Sequence, residues 1–241
     1  MERVISNGVI YKITKYSDSS AIATCYTEDY GKIKLFVPKA FTKKGGIYSL
    51  IPGEIDFLKK DSVDLCKFYN FKPDTNYFEY SVTPEISLRL NLIFDFYDKL
   101  YINEHIDKVI WVIILKFKES DIKKINIFAL YAIIKNTGNM FEFEYCAHCK
   151  KEISGNMYLL HGQCFCEACK NELQIEKLYL IEEFIGVILR SLGKKEMYKN
   201  LKINSSHEIK IIDLFTHHVE SILGYSLKSS SLFKDIINTI Y

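Results

Sequence analysis

"GVIYKITKYSDSSAIATCYTEDYGKIKLFVPKA", residues 8–40, decides the class of fold. Three runs within it, 8–16, 20–27 and 32–38, are rich in β-branched and aromatic residues with partial polar alternation, the pattern of strands with one buried face. Between the second and third stands Glu28-Asp29-Tyr30-Gly31, a hairpin turn in which glycine supplies the permissive backbone. Further along, "GEIDFLKK" (53–60) and "VDLCKFYNF" (63–71) have the same character. Five strands within residues 1–80, with no strong helix between them, predict a small closed barrel. An OB-fold fits that count, and an SH3-like barrel fits nearly as well.

The hydrophobic period changes at residue 83. "TPE" (83–85) reads as a helix start, with Thr83 as cap and Pro84 in the first turn. Apolar-faced helices are predicted over 86–101, 106–117 and 122–136, the last ended by Thr137-Gly138. After a cysteine-rich segment a helix is predicted over 173–192. Another, begun by a capping box of Ser205 and Glu208, covers "HEIKIIDLFTHHVESILGY" (207–225), and a short one ends the chain. The class is therefore α+β. A five-stranded barrel (1–80) precedes a helical domain in two parts (81–140 and 173–241), with a metal-binding, zinc-ribbon-like module (141–172) inserted between them.

The 241 residues are 48% hydrophobic and 26% charged, which supports packed cores and argues against wholesale disorder. Met1–Ile10 lacks the pattern of a secretory leader, and "VIWVIIL" (109–115) is too short to span a bilayer, so a cytoplasmic protein with no membrane partner is expected. Of 32 basic residues only Arg3, Arg89 and Arg190 are arginine, leaving 29 lysines. Bidentate reading of guanine edges is mostly arginine's work. Any nucleic-acid binding should therefore lean on phosphates and be largely indifferent to sequence.

Five of the seven cysteines lie in "CAHCKKEISGNMYLLHGQCFCEACK" (146–170). Cys146-x-x-Cys149 and Cys166-x-x-Cys169 are 16 residues apart, and each pair can present two thiolates to one ion. Four soft thiolates suit tetrahedral Zn²⁺. Cys164 is read as a spare thiol, and His148 and His161 as surface or loop residues. Four thiolates would close the coordination shell, so the zinc is expected to be structural rather than catalytic. No deaminase signature, phosphate-binding loop, dinucleotide fingerprint or Ser/His/Asp arrangement is present, and no catalytic residue is assigned. His217 and His218 are read as ordinary helix positions.

"GKIKLFVPKAFTKKGG" (31–46) carries Lys32, Lys34, Lys39, Lys43 and Lys44, with no acid and with Tyr30, Phe36 and Phe41 in or beside it. On a barrel face such a stretch can track phosphates while rings stack on bases. Phe36 is read as a core residue, apart from the face of Lys34.

Three stretches resemble the bacterial RecO family of recombination mediators. They are residues 8–40 with Thr27-x-x-x-Gly31-Lys32, the cysteine module, and "HHVESILGYSLKSSSLF" (217–233) with Lys228-Ser229. The resemblance implies an N-terminal OB-fold, a helical domain and a zinc site, and a protein of the nucleoid rather than an enzyme. It implies binding of single- and double-stranded DNA and annealing of complementary strands. With RecR as partner, it also implies loading of RecA onto strands coated by single-strand-binding protein. The five lysines above are then the expected DNA contacts, and Cys164 falls outside the expected four-cysteine pattern. Two other functions fit the same features: a zinc-stapled protein–protein adaptor, and a zinc-dependent nucleic-acid-modifying enzyme.

Overall fold

The computed structural model describes residues 2–42, 46–59, 65–77, 83–101, 105–117 and 121–240. The chain forms two compact units, Met1–Ile125 and Asn126–Tyr241.

In the first unit β1 (Glu2–Lys15), β2 (Ala21–Thr27), β3 (Gly31–Val37), β4 (Pro52–Lys59) and β5 (Leu65–Pro73) close into a barrel of order β1-β2-β3-β5-β4. β1 is longer than the alternation at 8–16 predicts because it serves two neighbours. Glu2–Val9 pairs antiparallel with β4, and Gly8–Lys15 with β2, the ladder shifting between Ile10 and Lys12. β3 and β5 complete the cylinder as a parallel pair. Inward-facing Ile10, Ala23, Cys25, Leu35, Ile55 and Phe57 are wholly buried.

Closure brings backbones unusually near. Gly8 pairs with Gly53. A β-carbon on Gly8 would lie 2.3 Å from the Tyr26 carbonyl oxygen, and one on Gly53 2.4 Å from that of Lys72. Both obstacles are strand backbone, which cannot swing aside. Gly8→Ala is expected to cost about 2–3 kcal/mol, measured as a lower urea midpoint with an unchanged slope.

Two helices complete this unit. α1 (Pro84–Leu100) begins where Thr83 accepts the Ile86 N–H, with Pro84 in the first turn. It buries Leu92, Ile93 and Phe96, and Phe94 stacks on Tyr11 of β1 at 4.7 Å. α2 (Lys108–Lys116) is capped by Asp107, whose side chain accepts the Val109 N–H and the Tyr101 hydroxyl, while its carbonyl accepts the Tyr26 hydroxyl.

α3 (Ile122–Asn136) leads into the second unit and ends at Gly138, which has φ +73°. Next come the cysteine segment, β6 (Met157–Leu160), β7 (Gln163–Cys166), α4 (Glu167–Glu172) and β8 (Tyr179–Ile181). α5 (Glu183–Leu192), α6 (Lys195–Asn200), α7 (Ser205–Leu223) and α8 (Lys228–Ile240) follow. The helix expected over 173–192 forms only from Glu183. Gln174 and Lys177 take left-handed conformations, and Tyr179–Ile181 extends to pair with β6. The sheet order is thus β7-β6-β8. The capping box also differs. Asn204, not Ser205, is the N-cap of α7 and accepts the His207 N–H. Glu208 is instead wholly buried and accepts from Asn126.

Candidate metal centre and barrel surface

Two local structures build the cysteine cluster. Cys146 and Cys149 flank a tight turn in which the Lys150 N–H returns to the Cys146 carbonyl and Lys150 adopts φ +61°. Cys166 ends β7 and is also the N-cap of α4, with Cys169 within that helix. The sulfurs of Cys146, Cys149, Cys166 and Cys169 all lie within 4.8 Å of one another. Those of Cys149 and Cys166 are 3.9 Å apart. A tetrahedron of sulfurs about 2.3 Å from a central zinc has edges of about 3.8 Å, so the donor set fits such an ion in number, kind and spacing.

The electrostatics favour thiolate at Cys146 and oppose it at Cys169. Burial pushes the Cys146 thiol up, but N–H groups of Cys166, Cys149 and His148 outweigh it and bring the value down to about 6. Burial and hydrogen bonding to the other three sulfurs push Cys169 up to about 12, so it gives up a proton when a cation arrives. Cys164 stands outside the four. It is wholly buried, and burial with the nearby Glu142 and Cys146 pushes it up to about 12, a protonated thiol. His148 and His161 are exposed and belong to no group of ligands around the cluster.

The barrel lysines divide. Lys32 is nine-tenths buried. Its ammonium donates to the carbonyls of Asp98 (2.9 Å) and Tyr101 (2.7 Å) at the C-terminal end of α1 and lies 3.7 Å from the Asp98 carboxylate. It satisfies carbonyls that a helix end leaves open, and so is withdrawn from any ligand outside the barrel. Lys32→Met is expected to cost about 1.5–3 kcal/mol of stability. A thermal melt reads that loss, and oligonucleotide binding per folded molecule should be unchanged. Lys34 and Lys39 are exposed and pair with no described carboxylate. Lys43 and Lys44 lie outside the described residues.

Phe36 is not a core residue. Period two puts it on the face of Lys34, while Ile33, Leu35 and Val37 point inward. It is half-buried and meets Tyr16 edge-to-face at 5.5 Å, with Tyr16 itself 65% exposed. Across the parallel seam Phe36 pairs with exposed Lys67. The outer face of β3 thus combines Lys34, Lys67, Phe36 and Tyr16, with Lys39 and half-exposed Phe41 beyond its end. Sequence reading passes over Tyr16 and Lys67. Only the pairing of two strands remote in sequence brings Lys67 beside Phe36.

Among the described residues no helix is long and apolar enough to cross a membrane. No family model matches the chain. The chain is similar to the DNA repair protein RecO of Caldicellulosiruptor bescii, 22% identical over 246 aligned positions that take in 98% of this chain and 100% of that one.

Proposed function

We propose that this protein is a DNA-binding recombination mediator of the RecO type, acting in the cytoplasm at the nucleoid. The observation that carries the reading is the similarity to RecO end to end, spanning barrel, helices and cysteine module together. The barrel is read as an OB-fold, on its five strands, the order β1-β2-β3-β5-β4 and the parallel β3–β5 seam. It forms the DNA-binding domain (1–80), with α1 and α2 in the same compact unit, and a zinc module (141–172) interrupts the helices of the second unit. Zn²⁺ is held by Cys146, Cys149, Cys166 and Cys169 as a structural ion, because four thiolates leave no position for a reacting water.

The role needs no active site. A surface that screens phosphate repulsion lets two complementary strands meet, and releasing their counterions drives binding. Lys34, Lys39 and Lys67, with Lys43 and Lys44, are the proposed phosphate contacts, and Tyr16 and Phe36 the stacking rings. Both single and double strands are bound with little regard to sequence. RecR and single-strand-binding protein are the proposed protein partners, and RecA is the recipient of the strand.

Fluorescence anisotropy with single-stranded oligonucleotides of unrelated sequence, titrated over salt, tests the reading. Expected are tight binding at low salt, a steep log–log slope and little sequence preference, together with faster annealing of labelled complementary strands. Absence of binding at low salt would overturn it.

A further inference from the structure

His218 of α7 is 3% exposed, and its Nε2 lies 2.6 Å from the carbonyl oxygen of Asn139. A carbonyl can only accept, so Nε2 carries the proton and Nδ1 holds a lone pair. That Nδ1 is buried and has no hydrogen-bond partner. Buried polar atoms are rarely left so. His218 lines a cleft of about 330 Å³ together with His161, Met140 and Ser221. The Ser221 hydroxyl donates to the His218 carbonyl, which leaves its oxygen lone pairs open to the cleft.

His161 and Gly162 form the two-residue turn between β6 and β7, with φ +46° and +78°. Gly162 sits against the imidazole, since a β-carbon there would lie 3.6 Å from His218 Cε1. The ring also meets Phe141 edge-to-face at 4.9 Å. An imidazole whose far nitrogen donates to a backbone carbonyl is oriented and fixed in tautomer as metal-binding histidines are.

We infer that His161 and His218 form a second metal site, separate from the four cysteines, that takes a borderline divalent transition ion such as Zn²⁺ through two imidazole nitrogens. Water fills the remaining positions, with the Met140 thioether and Ser221 hydroxyl at the rim. Burial also lowers the pKa of His218, which keeps the ring neutral and able to ligate. With two protein ligands this ion is held more weakly and exchanges faster than the cysteine-bound one. It would tie the hairpin turn of the cysteine module to α7.

Zn²⁺ titration of the full-length protein by equilibrium dialysis, with metal counted per chain, tests this. Wild type is expected to bind two equivalents, one resistant to a mild chelator and one removed by it. His161→Asn keeps a residue that tolerates the left-handed turn and should lose only the exchangeable equivalent. Its melting temperature with the cysteine site loaded should match wild type. His148→Asn, which removes an exposed imidazole outside the cleft, should retain both. Co²⁺ gives a second readout: the exchangeable equivalent should add no thiolate charge-transfer band. A single equivalent in wild type would mean that the cleft holds only water and would overturn the inference. So would a second equivalent that survives His161→Asn.

Discussion

Cys146→Ser will release the metal and unfold the cysteine module while the barrel stays folded. β6 and β7 are four residues each and β8 three. Sheets this small are not stable without added support. A structural zinc supplies roughly 10–16 kcal/mol in zinc-finger peptides, against a whole-domain stability of roughly 5–15 kcal/mol. In hydrogen exchange the Met157–Leu160 and Gln163–Cys166 amides should lose protection, and those of Val9 and Ile10 in β1 should keep it. Strong chelation of wild type should give the same pattern. Metal-free protein with β6 and β7 still protected would show that the cysteines do not hold the module together. The site should also be acid-sensitive in a defined sense. Cys169, with its raised value, releases a proton when the ion binds, so falling pH drives protons onto the sulfurs and the metal off. Metal content after dialysis at stepped pH checks the direction.

The second large effect belongs to the barrel surface. Lys34→Glu, Lys39→Glu and Lys67→Glu together remove three proposed phosphate contacts. For single strands each contact contributes about 0.7 to the slope of log affinity against log salt. The triple variant should flatten that slope by about 2 and lower affinity at low salt by about 100-fold or more. Phe36→Ala is expected to behave differently, losing about 1–3 kcal/mol of binding with the slope intact. Unchanged affinity in Phe36→Ala would place the rings outside the contact, and no loss in the triple variant would move the DNA surface elsewhere on the protein.

How much of this was legible in the sequence depended on how local each cause is. The strands at 21–27 and 31–37, the turn before Gly31 and the Thr83 cap are set by neighbours a few residues away, and they form where alternation and capping chemistry put them. The two knuckles are local as well, and their four sulfurs converge. What escaped depends on distant partners. The first half of β1 is a strand because β4 lies beside it. "KLYLIEE" has the period of a helix, yet 179–181 becomes a strand because β6 has an edge to fill. Lys32 and Lys34 look alike in sequence and share the outer face of β3, and they are separated by what covers that face, the end of α1 over one and solvent over the other. Phe36 has the apolar character of a core residue, yet period two puts it beside Lys34 on the outer face.

Closure of the barrel also limits how partners can approach. Every described barrel strand has a neighbour on both sides, so among the described residues no strand presents a whole free edge for another chain to add itself to. Proteins that recognise the barrel must therefore do so through side chains on its faces and ends. In the small sheet β7 is already bridged at Gln163 by Glu142. Among the described strands that leaves the outer edge of β8, three residues long, where half-exposed Leu180 stands, as the place for an extended peptide to pair.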